Sequence, residues 1–281
     1  MPWVSRRGYI AFDVEYRSGR LIDPDNGFNI NKYVTVQQTL AIYRAMQDAR
    51  GAIRTIIQRQ LDQNAQGGTH VFEFDDNTIF VGGTSAGSIL ALSVAYTPGP
   101  GRIAQIFPAA SGSPTIAQVL GPINAPYYYG PTSINIINRI KGVLNCWGEV
   151  FFPMSYDGVE STFLDQTVNI PPMIAFHGIA DNTNYIGKAK LNFAYPGYNP
   201  YPPYPDLNRE DLCTINNQTY QLDTTASLPD LISEGSYGMY NILKSLGKKV
   251  ELYVDCDMLH GIQDYTRDNF GISAANNFDV L

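Results

Sequence analysis

Short apolar runs recur along the chain, separated by polar stretches rich in Gly, Pro and Asn, and their period switches between two values. In residues 34–64, Leu40, Tyr43, Met46 (or Ala45), Ala49, Ile53 and Ile57 follow one another at helical spacing. That stripe predicts a long amphipathic helix. Brief β-rich apolar runs at "GYIAFDVEYR" (8–17), "NTIFVGG" (77–83), "GVLNCWG" (142–148), "PMIAFHG" (172–178) and "KVELYVD" (249–255) predict buried strands. "AGSILALSVAY" (86–96) and "LPDLISEGSYGMYNILKSLG" (228–247) predict two further helices. Strands alternating with helices imply one α/β domain over 1–281, a mainly parallel sheet with helices on both faces. No internal repeat is visible, and "GISAANNFDVL" (271–281) reads as the start of a terminal helix.

One segment breaks this rhythm. "LNFAYPGYNPYPPYPDLNRE" (191–210) is too rich in Pro and Tyr for a helix or an inner strand. With its flanks it marks an irregular insertion or lid at 188–228, and a smaller one, "NAPYYYGPTS", lies at 124–133. Long irregular insertions in compact domains serve function or act as covers. The tyrosines of 191–204 suit stacking on sugar rings or a phenolic acyl group, and suit an extended covering loop equally well.

The sharpest signal is "VGGTSAGSIL" (81–90), where Ser85 stands between Gly83 and Gly87 as an apolar strand gives way to an apolar helix. A nucleophile held on such a turn has a strained backbone, and glycine on either side removes the clash with strand and helix. The helix that begins at Ala86 directs its free N–H groups and its dipole at charge developing beside the serine. A glycine-rich turn with an incidental serine is the bland alternative. A serine hydroxyl needs a base, and the chain has three histidines. His70 precedes the strand of Ser85 and reads as a surface-loop residue, and His177 ends the run "MIAFHG" among strand and core. His260, in "DCDMLHGI", falls just past the last predicted strand. Sites in parallel α/β sheets gather at the carboxyl ends of strands, which makes His260 the base by position. Asp181, three residues beyond Gly178, is the matching acid, whereas Asp255 and Asp257 adjoin the histidine and read as a turn.

Composition narrows the classes. The net charge of −7 argues against nucleic acid as a partner. The apolar runs are too short to span a bilayer, so no membrane partner is expected either. Hydrophobic residues reach 44% while charged ones are only 16%, which leaves a sizeable core under a surface of neutral polar groups. Cys146 lies in an apolar run and reads as a small buried hydrophobe. Cys213 and Cys256 lie in polar stretches and are the pair to expect if the compartment oxidises thiols. The low lysine content leans toward a secreted or periplasmic setting, although Met1–Arg7 is followed by no apolar leader. "DPDNG" (23–27) reads as an Asx-type turn rather than a calcium loop, and no metal is expected because no Cys/His pair has zinc spacing. Asp48 and Arg50 read as a salt-linked helix face, or as a brace for the strand ends.

"GYIAFDVEYR", "YRAMQDARGAIR", "VGGTSAGSILAL", "FHGIADNTNY" and "LHG" together resemble the carboxylesterase/lipase group of the α/β-hydrolase superfamily, especially bacterial esterases acting on acylated plant polysaccharides or small esters. The resemblance covers most of 8–261 and agrees with the chain order Ser85, Asp181, His260. It implies that Ser85 is the acylated nucleophile, His260 the general base and acid, Asp181 the orienting carboxylate, and the N–H of Ala86 an oxyanion-hole donor. It implies no cofactor, and a small-molecule or polysaccharide-linked ester as substrate. The group's HGGG-type loop does not occur here, and seven residues precede Gly8, so the sequence reads as lacking the early strands that carry that loop. A serine peptidase of the prolyl-oligopeptidase type shares this triad order, and a non-catalytic α/β-hydrolase module used for binding is the reading from another class.

Overall fold

Most of the apolar runs become the elements their period predicts, and their pairing places the candidate chemistry at one rim. The structure, a computed structural model, describes residues 5–17, 30–67, 73–96, 116–124, 131–153, 169–179, 181, 183–190, 231–255, 258–261 and 279–280. In chain order the elements are α1 (Ile30–Gln66), β1 (Ile79–Thr84), α2 (Ala86–Tyr96), α3 (Ile116–Leu120), β2 (Ile140–Cys146), β3 (Glu149–Pro153), β4 (Met173–Gly178), β5 (Lys188–Lys190), β6 (Leu231–Gly235), α4 (Ser236–Ser245), β7 (Val250–Asp255) and β8 (Asp279–Val280). The main sheet runs β1-β2-β4-β7-β8, parallel through β7 and antiparallel at β8. A second sheet, β3-β6-β5, is antiparallel. The chain is thus a mainly parallel α/β protein, as the alternation of strands and helices predicts.

Register lines up the core. Val81, Val143, Met173 and Val250 form one row across the sheet, and Gly83, Asn145, Ala175 and Leu252 the next. Val143, Met173, Ala175 and Leu252 are buried against Tyr43, Met46 and Ile57 of α1, Leu92 of α2, and Met239 and Leu243 of α4. Each fully buried side chain of this size contributes about 1.5–3 kcal/mol of transfer free energy. The described helices α2 and α4 meet this face directly, since Ser88 and Ser236 both bond Asn145. Phe80, Leu144 and Ile174 alternate to the opposite face and are exposed at 55, 45 and 43%. Among the described residues no helix is long and apolar enough to cross a membrane.

Four expectations change. Residues 9–17 are not a strand: they run beside β1 with Tyr9 edge-on to Phe80 and Phe12 edge-on to Phe74, while Tyr9, Ile10 and Phe12 stay exposed. Apolar content supplies packing but no ladder, and no described strand pairs with this segment. Arg17 at its end grips Asp48 of α1 through its backbone N–H (2.9 Å), Nε (2.8 Å) and an Nη (2.9 Å). Asp48 is therefore not linked to Arg50, which donates to Asn124 instead; residues two apart on a helix face different directions. The first part of the 228–247 helix is strand β6, because Leu231–Gly235 is taken up between β3 and β5 and the helix starts only at Ser236. The last expectation concerns the terminus, where Asp279–Val280 pairs with β7 rather than opening a helix. The insertion begins as strand β5 at 188–190, and its tyrosines lie outside the described residues, as do Cys213, Cys256, Asp257, His70 and residues 23–27.

Candidate active site

The site begins where β1 ends. Ser85 follows Thr84 with φ at +51°, a conformation few residues other than glycine adopt, and α2 starts at once with Ala86. Three bonds hold the turn: the Ser85 N–H donates to the Cys146 carbonyl (3.0 Å), and the Ser85 carbonyl accepts from the N–H groups of Ser88 (2.9 Å) and Ile89 (3.0 Å). Gly83 is required here, because a Cβ at that position would stand 2.4 Å from the backbone carbon of Gly87. Gly87 is different. A Cβ there meets nothing within 4 Å, so the expected need for glycine on both sides holds only on the strand side. The helix approaches the strand through the backbone of Gly87, and what it cannot tolerate is a side chain at Gly83. The N–H groups of Ala86 and Gly87, which open α2, have no partner within the helix and stand beside the serine.

The imidazole arrives from β7. Gly261 (φ +101°) follows His260, and the loop that carries the histidine is anchored where the Met258 N–H donates to Asp255 (3.1 Å). Nε2 of His260 lies 2.7 Å from the Ser85 hydroxyl, and Nδ1 lies 3.0 Å from each carboxylate oxygen of Asp181. A carboxylate only accepts, so Nδ1 carries the hydrogen and Nε2 is left to accept from the serine. Asp181 is buried beyond the end of β4, and its Oδ1 takes N–H bonds from Thr183 (2.8 Å) and Asn184 (3.0 Å). Burial pushes its carboxyl up, but hydrogen bonding and electrostatic attraction from the His177 and His260 rings outweigh that and hold it at about 2. The two loops meet at Gly178, where a Cβ would fall 1.9 Å from the Met258 carbonyl oxygen. All three residues thus lie just past the carboxyl ends of parallel strands.

Behind them stands a layer of buried polar side chains not assigned from sequence. His177 reaches Ser236 (2.6 Å) and the Asn184 carbonyl (2.8 Å), Asn145 reaches Ser88 (2.7 Å) and Ser236 (2.9 Å), and the Asn184 side chain donates to the Trp147 carbonyl (2.7 Å). Trp147 itself adopts φ +46° at the end of β2. A signal was available: Ser88 and Asn145 interrupt apolar runs that must be buried, and buried polar groups need partners. Cys146 beside them is a thiol that burial pushes up to about 11, so it is not a competing nucleophile at neutral pH.

No protein-family model matches the chain, and no curated protein matches it. Among solved structures, it is similar to esterase 2 of Thermogutta terrifontis, crystallised phosphonylated by cyclosarin, at 16% identity and a TM-score of 0.42 over 83% of this chain and 60% of that one. A truncated carbohydrate esterase from gut microbiota is similar at 14% identity and a TM-score of 0.39, over 83% and 67%. Esterase PE8 is similar at 14% identity and a TM-score of 0.32, over 85% and 63%. The chain spans about three fifths of the length of the first of these. Such overlap is loose, and the chemistry of the site rests on its own geometry.

Proposed function

We propose that the protein is a serine carboxylic-ester hydrolase working through an acyl-enzyme. One observation carries this reading: the Ser85 hydroxyl is 2.7 Å from an imidazole whose other nitrogen sits 3.0 Å from both oxygens of a buried carboxylate. His260 Nε2 takes the hydroxyl proton as Ser85 Oγ attacks the ester carbonyl carbon. The carbonyl oxygen becomes an oxyanion against the N–H of Ala86 at the start of α2. Asp181, held ionised, stabilises the imidazolium and keeps the ring in its Nδ1–H form. The imidazolium then protonates the leaving alkoxide, and the alcohol departs. Water enters, gives its proton to His260, and its oxygen attacks the acyl carbon. Collapse releases the acid and restores the Ser85 hydroxyl.

The substrate reading, short-chain or plant-polysaccharide-linked esters, rests on the sequence resemblance, and a secreted or periplasmic setting rests on composition. A fluorophosphonate probe tests the chemistry, since only an activated serine reacts. Labelling of the wild type and none of Ser85→Ala is expected, with p-nitrophenyl acetate turnover lost in parallel. An unlabelled wild type would favour the non-catalytic binding module, and cleavage of peptide amides over esters would favour the peptidase.

A further inference from the structure

His177 is the penultimate residue of β4, in register with Val254, and is fully buried. Its surroundings specify its proton. Nε2 faces two acceptors, the Asn184 carbonyl at 2.8 Å and Asp181 Oδ2 at the longer 3.4 Å, so Nε2 carries the hydrogen. Nδ1 lies 2.6 Å from the Ser236 hydroxyl. With the neutral ring's hydrogen on Nε2, Nδ1 is the acceptor, so the hydroxyl gives it its hydrogen while its oxygen accepts from the Asn145 amide. The amide oxygen of Asn145 accepts from the Ser88 hydroxyl (2.7 Å) and from the Gly148 N–H (2.9 Å), and the Ser88 oxygen accepts from the Cys146 N–H (2.9 Å). Every hydrogen in this series then has one direction, running from the helix behind Ser85 to the turn that holds the acid.

We propose that His177, as its Nε2–H tautomer, is the positioning residue for Asp181. This rests on the hydrolase reading above. The Asn184 peptide is clamped on two sides: its N–H donates to Asp181 Oδ1 at 3.0 Å, and its carbonyl takes the Nε2–H of His177. The clamp fixes Asn184 against Asp181, and with it the carboxylate that meets His260 through both oxygens. A displacement of about 1 Å in such a supporting group is enough to cost on the order of 10²-fold in rate. An apolar side chain would fill the space but leave the Asn184 carbonyl and the Ser236 hydroxyl without these partners, and buried polar groups are costly to strand.

Two variants separate positioning from mere packing. His177→Gln carries an amide nitrogen near the place of Nε2, whereas His177→Asn reaches only as far as Nδ1 and keeps the Ser236 side alone. With p-nitrophenyl acetate, and with folding checked by circular dichroism, His177→Asn is expected to lower kcat by about tenfold or more with KM within about twofold, and His177→Gln to restore kcat to within about threefold of wild type. A folded His177→Asn with wild-type kcat, equal losses in both variants, or a change confined to KM would overturn the assignment. Should neither variant fold, long-range proton–nitrogen correlation on the ¹⁵N-histidine wild type decides. His177 protonated on Nε2 and bare on Nδ1 supports the proposal, and a proton on Nδ1 refutes it. A wild type inert to fluorophosphonate would remove the hydrolase reading, and with it any part of His177 in turnover, while the tautomer would still report whether it clamps the acid's turn.

Discussion

The hydroxyl of Ser85 and Nε2 of His260 stand 2.7 Å apart although 175 residues separate them in the chain. Two strands, β2 and β4, lie between the strands that deliver them. The contact exists because all four strands point the same way, so that the loops leaving β1, β4 and β7 gather over one rim.

The orientation of His260 depends on the carboxylate being an acceptor on both oxygens. Asp181→Asn substitutes a donor for one of them and favours the wrong imidazole tautomer. Turnover of p-nitrophenyl acetate is expected to fall on the order of 10³–10⁴-fold while the circular dichroism spectrum is kept. Retained turnover would exclude Asp181 from the mechanism.

The two glycines around Ser85 are expected to part company. Gly83→Ala drives a Cβ into the backbone of Gly87 and should cost about 1–3 kcal/mol in urea unfolding, with loss of fluorophosphonate labelling. Gly87→Ala meets open space within a helix and should be neutral or stabilising by up to about 1 kcal/mol. Equal effects at both positions would contradict this geometry.

Gly178→Ala tests the meeting of the two loops. The added carbon would displace the Met258 carbonyl two residues before His260, so kcat should drop at least about tenfold. Fluorophosphonate labelling should slow by a comparable factor, and unaffected labelling would show that the His260 loop does not depend on this contact.

Acid should unfold the protein partly through Asp181. Its folded carboxyl titrates at about 2 against an ordinary 3.8, so the unfolded chain binds the proton more readily. The stability from this group is complete above about pH 4 and is lost as pH falls through 2, amounting to roughly 2 kcal/mol. Urea midpoints at pH 5, 3 and 2 should fall more steeply for the wild type than for Asp181→Asn. Parallel slopes would contradict the depressed carboxyl.

Much of the site was legible because its parts are local. Gly83 and Ser85 fall where a short apolar strand run gives way to an apolar helix, and Asp181 and His260 each follow an apolar strand run. Residues 8–17 misled because tyrosine, isoleucine and phenylalanine favour strands whether or not a partner is at hand, and only pairing makes a strand. Leu231–Gly235 misled for the converse reason: five residues beside a true helix take the state that β3 and β5 offer them. The need for glycine at 83 but not at 87 turns on which backbone approaches which Cβ, a distance no spacing encodes.

Period and punctuation along the chain were thus sufficient for the α/β class, the turn at Ser85, and the carboxylate and imidazole that meet beside it. Tertiary structure alone decided that His177, Asn145, Ser88 and Ser236 form one hydrogen-bonded series behind them. The physical reason is range: helix and strand signals arise from neighbours a few residues apart, whereas the partner of a buried polar group is whichever distant element the fold lays against it.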